Sequence, residues 1–320
     1  ERIYKKNFRL LKNKKVDICS FWIPRNFFLK KFINFQEKYL YFIYSYIQNF
    51  LLKKKLKNDF TLYDLAIVFN GYYMNKKIIE FIKKEISHKV VNVQTDNIFF
   101  KKNTLLKHIN TFDRVYIWSK NLRKEILKKC IIKKSKVLFL PFGYDQSHNL
   151  VKKIVINDKI LFYGAWDKKR ENFLSKIDNK ILKIYGNKWE NAQASFKKKF
   201  SINKSLTGKK LVKEISRSLI CLNLFRDQAK NFINMRTFEI IGYGGSLLSE
   251  YSKEQSEFFK NYRNLKYFRD IKDINNIYKK ILSEKKLLLK ARQKNKIKIK
   301  KHDYLHRAKF ILSNEKILTS

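Results

Sequence analysis

One stretch in the second half of the chain, residues 231–250, combines residue types that can hold a phosphorylated ligand. It reads NFINMRTFEIIGYGGSLLSE, and its apolar spacing predicts a helix over 235–242. The first turn of a helix offers free N–H groups and a positive dipole end, which favour phosphate. Arg236 could neutralise a diphosphate with its planar fork of donors, and the Glu239 carboxylate could accept hydrogen bonds from ribose hydroxyls. Glu239 could equally be a salt-bridged surface residue.

Further candidates follow two predicted strands of the same half, residues 159–163 and 181–185. They are Gly164, Lys168, Lys169, Arg170, Gly186 and Asn187. Parallel α/β sheets bind ligands outside the carboxyl ends of their strands, so these residues are expected at a common site.

The first half of the chain offers one carboxylate in a comparable place. Asp96 follows a predicted strand at residues 89–95. A carboxylate there could act as the general base that removes a proton from an attacking hydroxyl. The alternative is a loop or N-cap aspartate. The three cysteines and five histidines form no metal-ligand spacing, so neither a zinc site nor a disulfide framework is expected.

The elements that must position these residues alternate between strands and helices. Strands are predicted at 16–21, 62–70, 89–95, 114–118, 136–140, 159–163, 181–185, 219–224, 246–248 and 265–268, and helices at 75–84, 119–129, 211–217, 235–242 and 273–317. This order predicts an α/β chain of two Rossmann-like domains, residues 1–150 and 151–320, facing each other across a ligand-binding cleft, with a C-terminal helical tail. The chain opens in a helical segment, so the first strand of the first domain is expected to be missing.

The order of these motifs resembles the CgeB-like glycosyltransferases, the spore-maturation group within the GT-B fold and akin to glycosyltransferase families 1 and 4. In the second half the resemblance rests on Asn234, Arg236, Phe238, Glu239, Gly244 and Gly245, and on residues 160–174, 181–189, 218–225, 256–268 and 302–307. Residues 90–100 and 112–145 carry it into the first half.

The resemblance implies a hexosyltransferase-type enzyme that uses a nucleoside diphosphate sugar as donor and needs no metal or other cofactor. The second domain would bind the donor through Asn234, Glu239, Gly244, Gly245 and the residues after its strands, and the first would bind a glycan, lipid or protein acceptor. Glu239 would hold the ribose, and the candidates for neutralising the diphosphate would be Arg236, Lys168 or Lys169, and Arg170. Asn231 stands eight positions earlier, where related retaining enzymes have a second glutamate, and this departure leaves retention or inversion open.

The charge leaves rival classes open. The chain has 320 residues and a formal net charge of +46, which invites a nucleic-acid-binding reading. The basic residues are spread along the whole chain, however, and Lys, Asn, Ile, Phe and Tyr all use A/T-rich codons, so nucleic acid is an unfavoured partner. A nucleotide-sugar epimerase or a non-catalytic nucleotide-sugar binder would keep the same fold.

The compartment expected from the free cysteines is the cytoplasm. Residues 39–52, YLYFIYSYIQNFLL, are aromatic, too short to span a bilayer and followed by three lysines. They predict either a buried helix of the first domain or a peripheral contact with the anionic inner face of a membrane.

Overall fold

The computed structural model describes residues 2–11, 16, 17, 19, 41–57, 62–100, 104–148, 154–227 and 231–317. The chain divides into two compact units. Unit 1 comprises Glu1–Pro141 and Leu305–Ser320, and unit 2 comprises Phe142–Tyr304. The boundaries therefore differ from the predicted 1–150 and 151–320. Residues 305–320 belong with unit 1, where the Arg307 Nε donates to the Pro141 carbonyl and Glu315 meets the sheet residues Arg114 and Tyr116.

Unit 1 contains a four-stranded parallel sheet in the order β1-β2-β3-β4. The strands are Ala66–Phe69 (β1), Val90–Gln94 (β2), Arg114–Ile117 (β3) and Val137–Phe139 (β4). Its helices are Arg2–Arg9 (α1), Tyr41–Lys57 (α2), Lys76–Glu85 (α3), Leu105–His108 (α4) and Lys120–Lys129 (α5). Asn75 and Ser119 cap α3 and α5, because each side-chain oxygen accepts a backbone N–H three residues ahead.

Unit 2 contains a six-stranded parallel sheet in the order β10-β9-β8-β5-β6-β7. The strands are Asn157–Tyr163 (β5), Leu182–Tyr185 (β6), Ile202–Asn203 (β7), Ser218–Asn223 (β8), Leu247–Glu250 (β9) and Leu265–Phe268 (β10). Its helices are Lys168–Leu174 (α6), Ala194–Lys199 (α7), Gly208–Arg217 (α8), Met235–Gly242 (α9), Lys253–Phe258 (α10), Asp273–Ser283 (α11) and Lys285–Lys298 (α12). Tyr304–Asn314 (α13) begins in unit 2 and continues in unit 1. Apolar side chains cover both faces of this sheet, as a parallel sheet requires.

Most predicted elements of both units are confirmed within one to four residues, and helix 235–242 and strand 265–268 are confirmed to the residue. The short strand β7 was not predicted. The predicted tail 273–317 consists of α11, α12 and α13 with a 3₁₀ turn at Ile299–His302. The strand predicted at 16–21 lies in part outside the described residues, and Val16, Asp17 and Cys19 belong to no strand.

The 39–52 stretch forms most of α2, with residues 39 and 40 outside the described part of the chain. The helix is not buried as a whole. Its buried side chains are Tyr44, Ser45, Gln48 and Asn49, and three of its large hydrophobic side chains are more than half exposed. No helix in the described ranges is long and apolar enough to cross a bilayer.

Candidate functional site

The sheet of unit 2 reverses its strand order between β5 and β8. The chain runs from β5 outward to β6 and β7, and then returns to the other side of β5 to form β8, β9 and β10. The loops after β5 and β8 therefore leave the sheet in opposite directions, and a crevice is expected between them. Gly164 follows β5 at this edge, and Leu224 follows β8.

Gly164 and Gly186 let the loops after β5 and β6 pack backbone against backbone. A Cβ atom on Gly186 would lie 1.9 Å from the Gly164 carbonyl oxygen, so no larger residue fits without moving a loop. The Trp189 Nε1 donates to the same oxygen at 3.0 Å, and the Trp166 N–H donates to the Asn187 carbonyl at 2.8 Å. Two of the four glycines predicted at the site therefore allow this close approach of the loops.

Helix α6 supplies the first buried cation. Asp167 caps this helix by accepting the Arg170 N–H at 2.9 Å. The Arg170 side chain is buried, and its two terminal nitrogens donate to the Ala165 carbonyl at 2.8 Å and to the Leu224 carbonyl at 3.3 Å. Because these carbonyls follow β5 and β8, the guanidinium lies in the crevice between the two strands.

Helix α9 supplies the second cation. Its N-cap Asn234 accepts the Thr237 N–H at 3.2 Å and donates to the Asn223 Oδ1 at 2.9 Å. Asn223 is the last residue of β8, and the same Oδ1 accepts from the Arg236 Nη1 at 3.4 Å. This contact and the Tyr163 ring, 4.8 Å below the guanidinium, hold Arg236 over the end of β5.

The two guanidiniums converge on Gly164. A Cβ atom there would lie 3.2 Å from the Arg236 Nη2 and 3.4 Å from the Arg170 Nη1. Each Nε atom is buried and, among the described residues, has no hydrogen-bond partner; the Arg170 Nε lies 3.3 Å from Asp167 without hydrogen-bond geometry. Burial, and then the positive charge of Arg236, lowers the pKa of Arg170 to about 10. Two guanidinium groups this close together, each with an Nε donor that is not hydrogen-bonded, favour the binding of an anionic ligand.

Glu239 lies one turn after Arg236 on α9 and is partly buried. The Tyr163 hydroxyl donates to its Oε2 at 3.3 Å. Burial raises the pKa of Glu239 to about 7, although the Arg236 charge and the Tyr163 hydrogen bond both act to lower it. Tyr163 thus contacts both predicted residues of the helix, stacking on one and donating to the other.

The remaining predicted residues of unit 2 are not all part of this arrangement. Lys168 pairs with the buried Glu171 at 3.1 Å, and the exposed Lys169 pairs with Asp227. Gly244 and Gly245 lie at the opposite end of α9, where Gly244 adopts φ +78° and the two N–H groups bond to Ile241 and Ile240. They end the helix in a Schellman motif and have no contact with the two arginines described above.

Asp96 belongs to unit 1, after β2. Its backbone carbonyl accepts from the Trp118 Nε1 at 3.2 Å, and its carboxylate is hydrogen-bonded to the Tyr72 hydroxyl. Burial, and then the Asp96 charge, raises the pKa of Tyr72 above its ordinary value. A catalytic role for Asp96 stays a prediction.

Two contributors were missed by the sequence analysis, Tyr163 and Asn223. A signal for Asn223 was present, because a lone amide in the apolar run SLICLNLF needs a partner when it is buried. For Tyr163 there was none, since an aromatic at a strand end has the pattern of a core residue. In the described part of the chain, no cluster of three or more His, Cys, Asp or Glu side chains could hold a metal ion.

Comparison with known proteins gives this site a family context. Residues 169–313 match the family model Glyco_trans_1_2, described as glycosyl transferase-like. The match begins in α6 and includes Arg170, Arg236 and Glu239. No curated protein matches the sequence.

Solved structures match both units. A trehalose-6-phosphate synthase is 14% identical with a TM-score of 0.61, covering 86% of this chain and 78% of its own. A structure from E. coli, named for trehalose-6-phosphate and bound with UDP-2-fluoro glucose, is 13% identical with a TM-score of 0.59, covering 86% and 78%. HepE of Anabaena in complex with UDP is 9% identical with a TM-score of 0.60, covering 83% and 82%.

The structural matches show the fold of the protein. The fold is that of the GT-B glycosyltransferases, as predicted. Residues 169–313 match a glycosyl transferase-like family model, which agrees with the prediction of a glycosyltransferase. The narrower resemblance to the CgeB-like group stays a prediction.

Proposed function

We propose that the chain transfers a sugar from a nucleoside diphosphate sugar to a glycan, lipid or protein acceptor, with the donor bound by unit 2. The observation that carries the proposal is the convergence of Arg170 and Arg236 on Gly164, at the reversal of the strand order. A diphosphate carries two negative charges that would offset the repulsion between these guanidiniums. Similarity to proteins whose structures contain UDP or UDP-2-fluoro glucose supports the same class of ligand.

The chemistry follows from the charges. Breaking the bond between sugar and diphosphate develops negative charge on the leaving nucleotide, and fixed guanidiniums stabilise it without reorganising. Glu239 would accept hydrogen bonds from the ribose hydroxyls and so place the diphosphate against Arg236. This arrangement requires no metal, and metal independence is part of the proposal.

A ligand panel tests the donor. Thermal unfolding would be followed with UDP-, GDP-, ADP- and CMP-linked sugars, with Mg²⁺ and with a chelator. Sugars linked to one nucleotide base should raise the unfolding temperature most, by the same amount with Mg²⁺ and with the chelator. A ligand at about 100 times its Kd adds about 2.7 kcal/mol to the free energy of unfolding. Loss of all shifts with the chelator would contradict the metal-independent clamp.

Arg236→Gln sharpens the test. A charge-assisted hydrogen bond contributes about 1.5–3 kcal/mol, so donor affinity should fall about 10- to 100-fold. Arg263→Gln, which changes an exposed arginine of the same unit, is the matched control and should bind the donor as the unaltered protein does. Equal affinity in the two variants would remove Arg236 from the site.

The rival classes give different results in the same experiments. A nucleic-acid-binding protein would bind polynucleotides with an affinity that falls steeply with salt and would show no preference among nucleotide sugars. A non-catalytic binder would show the preferred donor but release neither nucleotide nor sugar, and an epimerase would convert the donor without an acceptor.

A further inference from the structure

The helix α2 is attached to unit 1 by its polar side. The Ser45 Oγ donates to the Tyr73 carbonyl at 2.6 Å, and the Asn49 Nδ2 donates to the same carbonyl at 2.7 Å. The Asn49 Oδ1 accepts the Asn75 N–H at 3.3 Å. These bonds fix which side of the helix faces the protein, and Ser45, Gln48 and Asn49 are all buried there.

The opposite side of the helix is aromatic and faces solvent. Phe42, Tyr46 and Phe50 follow one another at intervals of four residues and therefore form one stripe, which is 62%, 71% and 61% exposed. Ile43 lies beside it and is half exposed. This polarity is the reverse of an ordinary surface helix, which buries its apolar side and exposes its polar side. An exposed apolar patch of this kind indicates an apolar partner.

Lysine side chains follow the aromatic stripe at the C-terminal end of α2. Lys53 and Lys57 extend it at the next helical positions, and the exposed Lys54 lies beside them. The helix has no acidic residue. Lys107 also approaches the stripe, since its Nζ lies 6.0 Å from the centre of the Phe42 ring. Aromatic side chains followed by lysines match the two layers of an anionic membrane surface, with an acyl boundary beneath negatively charged headgroups.

We propose that the aromatic stripe of α2 docks on the surface of a bilayer rich in anionic lipid, with Phe42, Tyr46 and Phe50 entering the acyl boundary and Lys53, Lys54 and Lys57 meeting the headgroups. The helix is 17 residues long, or about 25 Å, and lies on the membrane without crossing it. The inference rests on the exposure and charge of α2 and is independent of the proposed sugar donor.

The test is sedimentation of the full chain with vesicles of phosphatidylcholine, alone or mixed about equally with phosphatidylglycerol. A chain with a net charge of +46 would bind anionic vesicles through nonspecific electrostatic attraction. Partitioning is therefore also measured in about 0.5 M salt, where the screening length is about 4 Å and this attraction is weak. Binding to the mixed vesicles should persist there. A triple variant, Phe42→Ser, Tyr46→Ser and Phe50→Ser, should then partition about tenfold less or worse.

Matched controls distinguish binding through α2 from nonspecific binding through other exposed apolar or basic residues. Replacing the exposed Ile131, Leu287 and Ile297 with serine removes as many exposed apolar side chains elsewhere and should leave partitioning unchanged. Changing Lys53, Lys54 and Lys57 to glutamine should weaken binding at low salt more than the same change at the exposed Lys286, Lys290 and Lys294.

Two results would overturn the proposal. One is equal partitioning of the aromatic and control triple variants. The other is a dimer of the unaltered chain, formed without vesicles and lost in the aromatic variant, because that would make a second copy the occupant. Thermal unfolding verifies that each variant folds, and the single change Tyr46→Glu, at the most exposed of the three aromatic positions, repeats the test with less risk to α2.

Discussion

The carboxyl edges of the two parallel sheets differ in chemistry. At the unit 1 edge, beside the Asp96 carboxylate, three amides bind one another: the Gln94 Nε2 donates to the Asn70 carbonyl and to the Asn92 Oδ1, and the Thr95 N–H donates to the Asn70 Oδ1. In unit 2 the edge holds two guanidiniums and a carboxyl group. Similar topology thus places amides that bind one another at one edge and charges that lack full partners at the other.

The two edges differ in how many polar and charged groups remain available to bind a ligand. Among the polar atoms of the three unit 1 amides, one buried atom, the Gln94 Oε1, has no partner in the described part of the chain. The amides therefore hold β1 and β2 together. At the unit 2 edge, Arg170 and Arg236 face each other's charge, which is a cost that an anion relieves.

The largest expected effect on stability and donor binding comes from displacing the loop that carries Gly164 at the unit 2 edge. In Gly186→Ala the new Cβ would overlap the Gly164 carbonyl oxygen, so the loop carrying Gly164 must move away from both arginines. We expect the urea midpoint to fall by the equivalent of about 3 kcal/mol or more, with donor binding lost. Gly208→Ala is the control, because its Cβ would meet only the His148 ring, at an ordinary contact distance of 3.8 Å, and costs only the strain of φ +55°, about 1 kcal/mol. Similar midpoints for the two would contradict this account of the loop.

An intermediate effect is expected from the unit 1 edge, and on stability alone. Gln94→Leu leaves the buried Asn92 Oδ1 without its donor, which costs about 1–3 kcal/mol. Donor affinity should stay within about twofold of the unaltered protein, because the proposed donor site lies in unit 2. Gln293→Leu, at an exposed position, should change neither quantity. A tenfold loss of donor affinity in Gln94→Leu would show that the amides of the unit 1 edge also serve the donor.

The smallest effect is a dependence on pH. Burial raises the pKa of Glu239 from 4.5 to about 7, so between these values the unfolded chain loses this proton before the folded chain does. Glu239 therefore costs stability as pH rises through that window, and the full cost is present above pH 7. Glu239→Gln should melt a few degrees higher than the unaltered protein at pH 8 and at the same temperature near pH 4.

The same group should set the pH dependence of donor binding. A nucleoside diphosphate sugar has no phosphate proton that titrates near neutrality, so a change in its affinity reports the protein. Affinity should rise as Glu239 ionises near pH 7 and should be flat in Glu239→Gln. In Tyr163→Phe the midpoint should move upward, because the hydroxyl that lowers this pKa is gone while the ring under Arg236 remains. An unshifted midpoint would show that Tyr163 does not position the carboxyl group.

Local pattern predicted much of this site. Apolar runs between turns identify the strands of unit 2 because a parallel sheet is buried on both faces, and the spacing of residues 235–242 places Arg236 and Glu239 on one side of a helix. The pattern could not separate glycines that approach a ligand site from glycines that end a helix. Only the folded chain separates them: two guanidiniums lie beside Gly164, whereas Gly244 adopts φ +78° at the end of a helix.

The sequence by itself determined the series of strands and helices, the excess of positive charge, and the residues available at each strand end. Tertiary structure decided which of those residues meet. Arg170 and Arg236 are 66 positions apart in the chain and converge because β8 returns beside β5. It also decided the outward side of α2, whose apolar residues lie around much of the helix. Hydrogen bonds from Ser45 and Asn49 to the Tyr73 carbonyl fix the side that faces the protein, and so the opposite side faces outward. The residue spacing within one helix cannot predict a hydrogen-bond partner that lies elsewhere in the chain.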